Sequence, residues 1–199
     1  MLKKKLLNEL YYSKKLSMVD VAGSLLVTPA TVKYWMQKYD FNRRSSSESA
    51  YVKQNPNGDP FKIKDKLTQK DRELLLCGLM LYWAEGSRKN QHVVQLANLD
   101  IRMVKFFMEF LRNICGVIED KLCITVQLYR KFDKETTKSY WSRALGIPDR
   151  NIFVTIHSDG RSKPNQQWSR FGIARIEVRN VKLKRWIDGA LEKYLNKVV

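Results

Sequence analysis

Histidine and cysteine are scarce in this chain, 2 and 3 among 199 residues. Cys77, Cys115 and Cys123 sit in apolar runs without CxxC spacing, which excludes a four-cysteine zinc site and argues against a disulfide framework. An odd set of thiols in such surroundings predicts small, reduced, buried side chains. His92 and His157 fall in separate strand-like runs with no third ligand beside them, so neither a zinc centre nor a nucleophilic triad is expected. Long apolar runs are missing as well. The most apolar stretch, residues 74–84, is too short to cross a bilayer and meets Glu85 at once, and no N-terminal segment reads as a signal peptide. A cytoplasmic protein with no membrane partner is the expectation. Acidic side chains are the third shortage: 20 Asp and Glu face 37 Lys and Arg, for a net charge of +17 and a pI near 9.9. The excess runs along the whole chain, so neither half reads as an acidic partner domain. Neutralising phosphates, with release of their counterions, is the usual reason to carry such a charge. An apolar content of 44% is enough for a real core.

The first 44 residues carry the clearest local signals. Residues 3–15 place Leu6, Leu7, Leu10 and Tyr11 at helical spacing, with lysines on the other face. Ser17 stands where an N-cap belongs, ahead of a second helix through Val19, Val21, Ala22 and Leu25. Thr28-Pro29 opens a third, because the Thr hydroxyl can satisfy an orphan amide and Pro loses no needed hydrogen bond at the first helical position. That helix runs to about Tyr39, with Ala30, Val32 or Thr31, Trp35 and Met36 available to pack inward. The stretch SMVDVAGSLLVTPATVKYWMQKY resembles the helix-turn-helix of resolvases and regulators. Leu26 stands where that turn usually has Gly, which predicts a tighter or shifted turn. The resemblance implies that Thr28, Pro29, Ala30, Thr31, Lys33, Tyr34, Gln37 and Lys38 face base edges and phosphates. The basic arm Arg43-Arg44 is expected to follow the phosphate backbone or enter a minor groove.

Residues 45–67, polar and bearing Gly and Pro, read as a tether. Beyond it, from residue 68 to 199, Thr68 caps a helix through Ala84 that ends at Gly86, a natural C′ residue. Four strand-like runs follow at 92–98, 122–130, 151–158 and 171–179, with helices at 101–115, 134–145 and 181–196, the first and last capped by Asp100 and Asn180. The strands are two-faced. One side carries Val94, Leu96, Ile124, Val126, Leu128, Ile152, Val154, Ile156, Ala174, Ile176 and Val178. The other carries Gln91, Gln95, Thr125, Gln127, Tyr129, Asn151, Thr155, His157, Arg175, Glu177 and Arg179. The fold class expected is therefore α+β, an all-helical N-terminal domain joined to a mixed α/β domain whose sheet is covered by helices on one face. The open face, rich in Gln, Thr and Arg, suits base edges in a major groove. The basic, aromatic loop 158–170, with Arg161, Lys163 and Arg170, is expected to lie along DNA.

The helix end Gly78-Leu-Met-Leu-Tyr-Trp-Ala-Glu85-Gly86, the later segment Leu96-Ala-Asn98-Leu-Asp100 and the alternation of strands and helices resemble the LAGLIDADG homing-endonuclease family over residues 70 to 195. The resemblance implies that Glu85 is a catalytic acid holding Mg²⁺ over DNA and that Gly86 lets the backbone approach the scissile phosphate and the metal. Lys163, in the basic loop, is a candidate to stabilise the phosphorane charge, with a plain phosphate contact as the alternative. Trp83 stands at the family's earlier acidic position, and Met80 where a small residue is usual, so close helix packing falls to Cys77, Gly78, Leu81 and Ala84. Only one such motif is present, which implies a homodimer through the helix over residues 74–85. Three functional readings stand at this point: a sequence-specific endonuclease on double-stranded DNA, a transcriptional regulator that keeps the fold for docking alone, and an RNA-binding, maturase-like protein.

Overall fold

The computed structural model describes residues 1–129, 132–157 and 170–198. The chain divides into two compact units, Met1–Asp59 and Pro60–Val199.

The first unit is all helical. Helix α1 (Lys4–Asn8) runs on into a π-helical turn (Glu9–Ser13), followed by α2 (Met18–Ser24), α3 (Pro29–Lys38) and α4 (Ser46–Gln54). Its core consists of Leu7, Leu10, Tyr11, Val21, Ala22, Val32 and Met36, with Trp35, Leu25 and Val27 packed around it, while Val19 and Ala30 remain exposed. Both capping expectations hold. Ser17 Oγ accepts the Asp20 N–H while the Asp20 carboxylate accepts the Ser17 N–H, a reciprocal capping box. Thr28 Oγ1 accepts the Thr31 N–H ahead of Pro29.

The turn between α2 and α3 is not shifted by its leucine. Val27 N–H donates to the Ala22 carbonyl at 3.0 Å and Leu26 N–H to that of Gly23 at 3.3 Å, the paired bonds of a Schellman ending. Leu26 takes the left-handed conformation, φ 53°, that glycine would adopt there. An L-residue in that conformation carries about 1–2 kcal/mol of strain, and at 95% exposure Leu26 recovers little of it by packing. Leu26→Gly is therefore expected to stabilise the unit by about 1 kcal/mol after the extra chain entropy of glycine, read as a higher urea midpoint at unchanged slope.

The second unit is α+β. Helix α5 (Gln69–Glu85) precedes strand β1 (Val94–Asn98), α6 (Ile101–Asn113), β2 (Cys123–Tyr129), α7 (Lys134–Leu145), β3 (Ile152–His157), β4 (Ile173–Val178) and α8 (Val181–Val198). The sheet is mixed, in the order β1-β4-β2-β3. Strand β4 lies antiparallel to both neighbours, while β2 and β3 run parallel, as the α7 crossover between them requires. One face carries the core. Val94, Leu96, Ile124, Val126, Leu128, Ala174, Ile176 and Val178 are all but inaccessible, packed with Val104, Phe107, Met108, Leu111 and Ile114 from the α6 segment. Asp100 Oδ1 accepts the Arg102 N–H, and Asn180 Oδ1 accepts those of Lys182 and Leu183, so both expected caps form. Thr68 caps α5 in a box with Asp71, whose carboxyl is held down at about 2 by the Lys64 ammonium, then by the N–H and hydroxyl of Thr68.

Two expectations need correction. Residues 45–67 are not a bare tether. Residues 46–54 form α4, and beyond the boundary at Asp59 the chain joins the second core: Lys62 and Lys64 N–H donate to the carbonyls of Gly116 and Ile114, and Phe61, Ile63 and Leu67 pack inward. Alternate apolar residues in a short polar stretch are too few to show as a strand. Second, only Cys115 is fully buried, with its thiol pKa pushed up by desolvation; Cys123 is half-buried and Cys77 exposed on α5. Among the described residues, no helix is long and apolar enough to cross a membrane.

Candidate nucleic-acid interface

Helix α3 buries Val32 and Met36, packs Trp35 beside them, and turns most of its other residues outward. Thr28, Pro29, Ala30, Lys33, Tyr34, Gln37 and Lys38 are exposed; Thr31 is half-buried, its hydroxyl 2.9 Å from that of Thr28. Tyr34 is 56% exposed, and the Lys38 ammonium lies over the rings of Trp35 and Tyr34, at 5.0 and 6.0 Å. That contact holds a cation at the C-terminal end of the helix, where the backbone dipole also favours it.

The arm divides. Arg43 is exposed, as expected. Arg44 is not an external contact. Its guanidinium donates to the carbonyls of Lys15, at 3.0 Å, and Leu16, and lies 4.2 Å over the Tyr11 ring. Its N–H donates to the Tyr11 hydroxyl at 3.0 Å. It closes the turn after the π-helical segment, where Lys15 takes φ 55°, and nothing in the dipeptide distinguishes it from its neighbour. Arg44→Ala is expected to destabilise the first unit by about 2 kcal/mol, since charged donors to carbonyls contribute about 1.5–3 kcal/mol each and this side chain is partly exposed. Arg43→Ala should leave the thermal midpoint unchanged. If Arg43 meets a phosphate, its loss lowers the salt slope of DNA binding by about 1.

On the open face of the sheet, register sets side chains in rows. Gln95, Glu177 and Cys123 share one, Ala97, Arg175, Thr125 and Phe153 the next, and Ile173, Gln127 and Thr155 the third. The face is less cationic than its sequence suggests, because Glu177 draws Arg175 to 3.8 Å and Arg179 to 3.5 Å. Thr155 Oγ1 donates to the Val126 carbonyl at 3.3 Å. Gln91 does not belong to this face; it lies in the turn ahead of β1. Asn151 does not either: it is 8% exposed, and its amide donates to the carbonyls of Glu119 and Leu122. Phe153, 54% exposed, shares the parity of Thr155 and belongs to this face as well, a position that alternation alone could have found. Arg170, at the start of the segment leading into β4, is exposed, with its guanidinium 5.4 Å over Phe171, a ring stacked at 3.7 Å on Tyr140. Arg161, Lys163 and the side chain of Tyr129 lie outside what is described.

Glu85 is the exposed last residue of α5. Gly86 is not left-handed: φ −77° and ψ 148° are open to any residue. Its constraint is steric, because a Cβ would stand 2.3 Å from the Tyr82 carbonyl oxygen and 2.4 Å from its ring. Tyr82 is itself fixed. Its hydroxyl donates to the Ser87 carbonyl at 3.2 Å, and the ammonium of buried Lys184, paired with Asp188, lies 5.5 Å from its ring. Glu85 thus sits on a rigid turn, but one carboxylate is a poor fit to Mg²⁺, which takes about six oxygens, and among the described residues no three Asp, Glu, His or Cys gather to hold a metal. The described residues of one chain do not make that site alone.

From Leu74 to Ala84 apolar residues run around α5. Leu75, Gly78, Leu79 and Tyr82 face the core, and Gly78 abuts the Phe110 ring within the chain, so it is not free to meet another helix. Opposite them, Leu76, Cys77, Met80, Trp83 and Ala84 recur at helical spacing, with Leu76 and Trp83 42% and 44% exposed. Comparison with family models, curated proteins and solved structures finds no match to this chain.

Proposed function

We propose that this chain binds double-stranded DNA in a sequence-specific manner, as a homodimer paired through α5. In this reading α2 and α3 are a helix-turn-helix, with α3 entering a major groove, and the open sheet face of the second unit meets base edges. The carrying observation is α3 itself, a helix whose outward face is Ala30, Lys33, Tyr34, Gln37 and Lys38 in a chain of net charge +17. Gln37 can pair with adenine, and the lysines with guanine or phosphate. The dimer is supported by the C-terminal part of α5, Leu74 to Ala84, since a helical stretch that is apolar on all sides is usually covered on all sides.

Strand cleavage is the second part of the proposal and depends on the dimer, which would bring two Glu85 carboxylates and the DNA phosphates to one place. Mg²⁺ bound there would supply Lewis acidity and an activated water. A regulator that binds without cutting is the rival reading, favoured by the single carboxylate at the α5 end. Incubating the protein with a randomised duplex pool and Mg²⁺, then sequencing bound and cut molecules, tests both. Binding should be selective and weaken steeply with salt. Glu85→Gln should abolish cutting and leave binding intact. Selective binding with no nicking in the wild type would establish the regulator, and tighter binding to structured RNA at matched salt would overturn the duplex assignment.

A further inference from the structure

An exposed phenylalanine on its own calls for no explanation, because isolated apolar side chains are common on protein surfaces. Phe153 is different in its setting. It stands on β3, the edge strand of the sheet, in register with Thr125 on β2, and lies on the open face rather than over the core. The Thr155 hydroxyl, two residues along the same strand, is tied to the Val126 carbonyl, so this exposed residue offers mainly its methyl. Among the described side chains, β3 therefore presents a ring and a methyl outward, beside a face of Gln95, Thr125 and Arg175.

We infer that Phe153 and Thr155 read the 5-methyl groups of thymines in the major groove of duplex DNA. This rests on the duplex-binding proposal above and names the base chemistry that one strand recognises. The thymine methyl is the one apolar group on the major-groove edge, and aromatic and Thr methyl surfaces are what meet it. The net charge of the chain, +17, favours a polyanion as its partner. Stacking on an unpaired base is the less suitable occupant. Sheets that stack single strands present two or three aromatics, and among the described side chains of this face Phe153 stands alone.

The test uses the full chain and a duplex recovered from the randomised pool, with each thymine replaced in turn by deoxyuridine. Wild type should lose about fourfold in affinity at one or two positions, the value of a buried methyl-sized group. Phe153→Ala should lose the preference for thymine over deoxyuridine at the position its ring meets, and bind the thymine duplex about as weakly as wild type binds the duplex substituted there. Phe153→Leu should recover part of the discrimination. Equal thermal midpoints would show that the fold is kept. Wild type that binds duplex with no thymine preference, or Phe153→Ala that keeps the preference, overturns this inference alone. Wild type that binds no duplex removes the binding proposal and the inference with it. Selective loss of single-stranded RNA binding in Phe153→Ala would assign the ring to base stacking instead.

Discussion

Alanine at Gly78 is expected to destabilise the second unit by about 3 kcal/mol, while alanine at Gly189 should stabilise it by about 1 kcal/mol. Both glycines lie inside helices, α5 and α8, where replacing Gly by Ala ordinarily helps. At Gly78 an added Cβ would stand 2.5 Å from two ring atoms of Phe110 and 2.9 Å from its Cβ. That ring is fully buried, in contact with Phe107, which stacks on Tyr82, so it has nowhere to retreat. Parting α5 from α6 would open the core, and overpacking of this kind costs about 1–3 kcal/mol or more. At Gly189 nothing lies within 4 Å of the added carbon, and the residue is exposed. Only the propensity gain remains. Chemical denaturation of the two variants, compared at pH 7, reads both signs; equal effects would show that α5 and α6 are not packed this closely.

Removing the outer apolar stripe of α5 should have the largest effect on function. Leu76→Gln with Trp83→Gln changes no charge and touches residues that are 42% and 44% exposed, so the fold of the unit should survive. If two copies pair along this stripe, sedimentation should show a dimer becoming a monomer. Affinity for a two-fold duplex site should fall by about 10²- to 10⁴-fold, the gain that bivalence ordinarily confers. Cys77 lies on the same stripe and is exposed, so mild oxidation should link the wild-type dimer covalently, and Cys77→Ser should abolish the link. A wild type that sediments as a monomer at working concentration would remove the dimer, and with it the case for two Glu85 carboxylates at one place.

Much of the fold is legible without coordinates because the rules involved are short-ranged. Ser17, Thr28, Thr68, Asp100 and Asn180 each bond an amide within three residues, so a cap can be read from its own neighbourhood. The strands alternate every second residue, so Leu96, Val126 and Ile176 declare an inner face before any partner strand is known. The exposed face of α3 follows from the same reasoning at helical period. Site residues are less legible. Phe153 obeys the alternation, but parity alone does not tell an exposed phenylalanine from a buried one on an edge strand. Thr155 lies on the open face as predicted, yet its hydroxyl is taken up by a neighbouring strand.

Residue types, helix ends, strand parity and the cationic balance were thus determined by the chain itself, since each depends on groups a few residues apart or on composition. Tertiary structure alone decided that Gly78 is filled by Phe110, that Gly86 is required by Tyr82, and that Arg44 closes a turn while Arg43 stays exposed. It also placed residues 60–67 in the second core and paired Glu177 with Arg175 and Arg179. Contacts between residues distant in the chain, or between strands brought side by side, depend on where the backbone returns. No local pattern encodes that approach, and whether a ring stands 2.5 Å from an added carbon or nothing lies within 4 Å of it reverses the sign of a substitution.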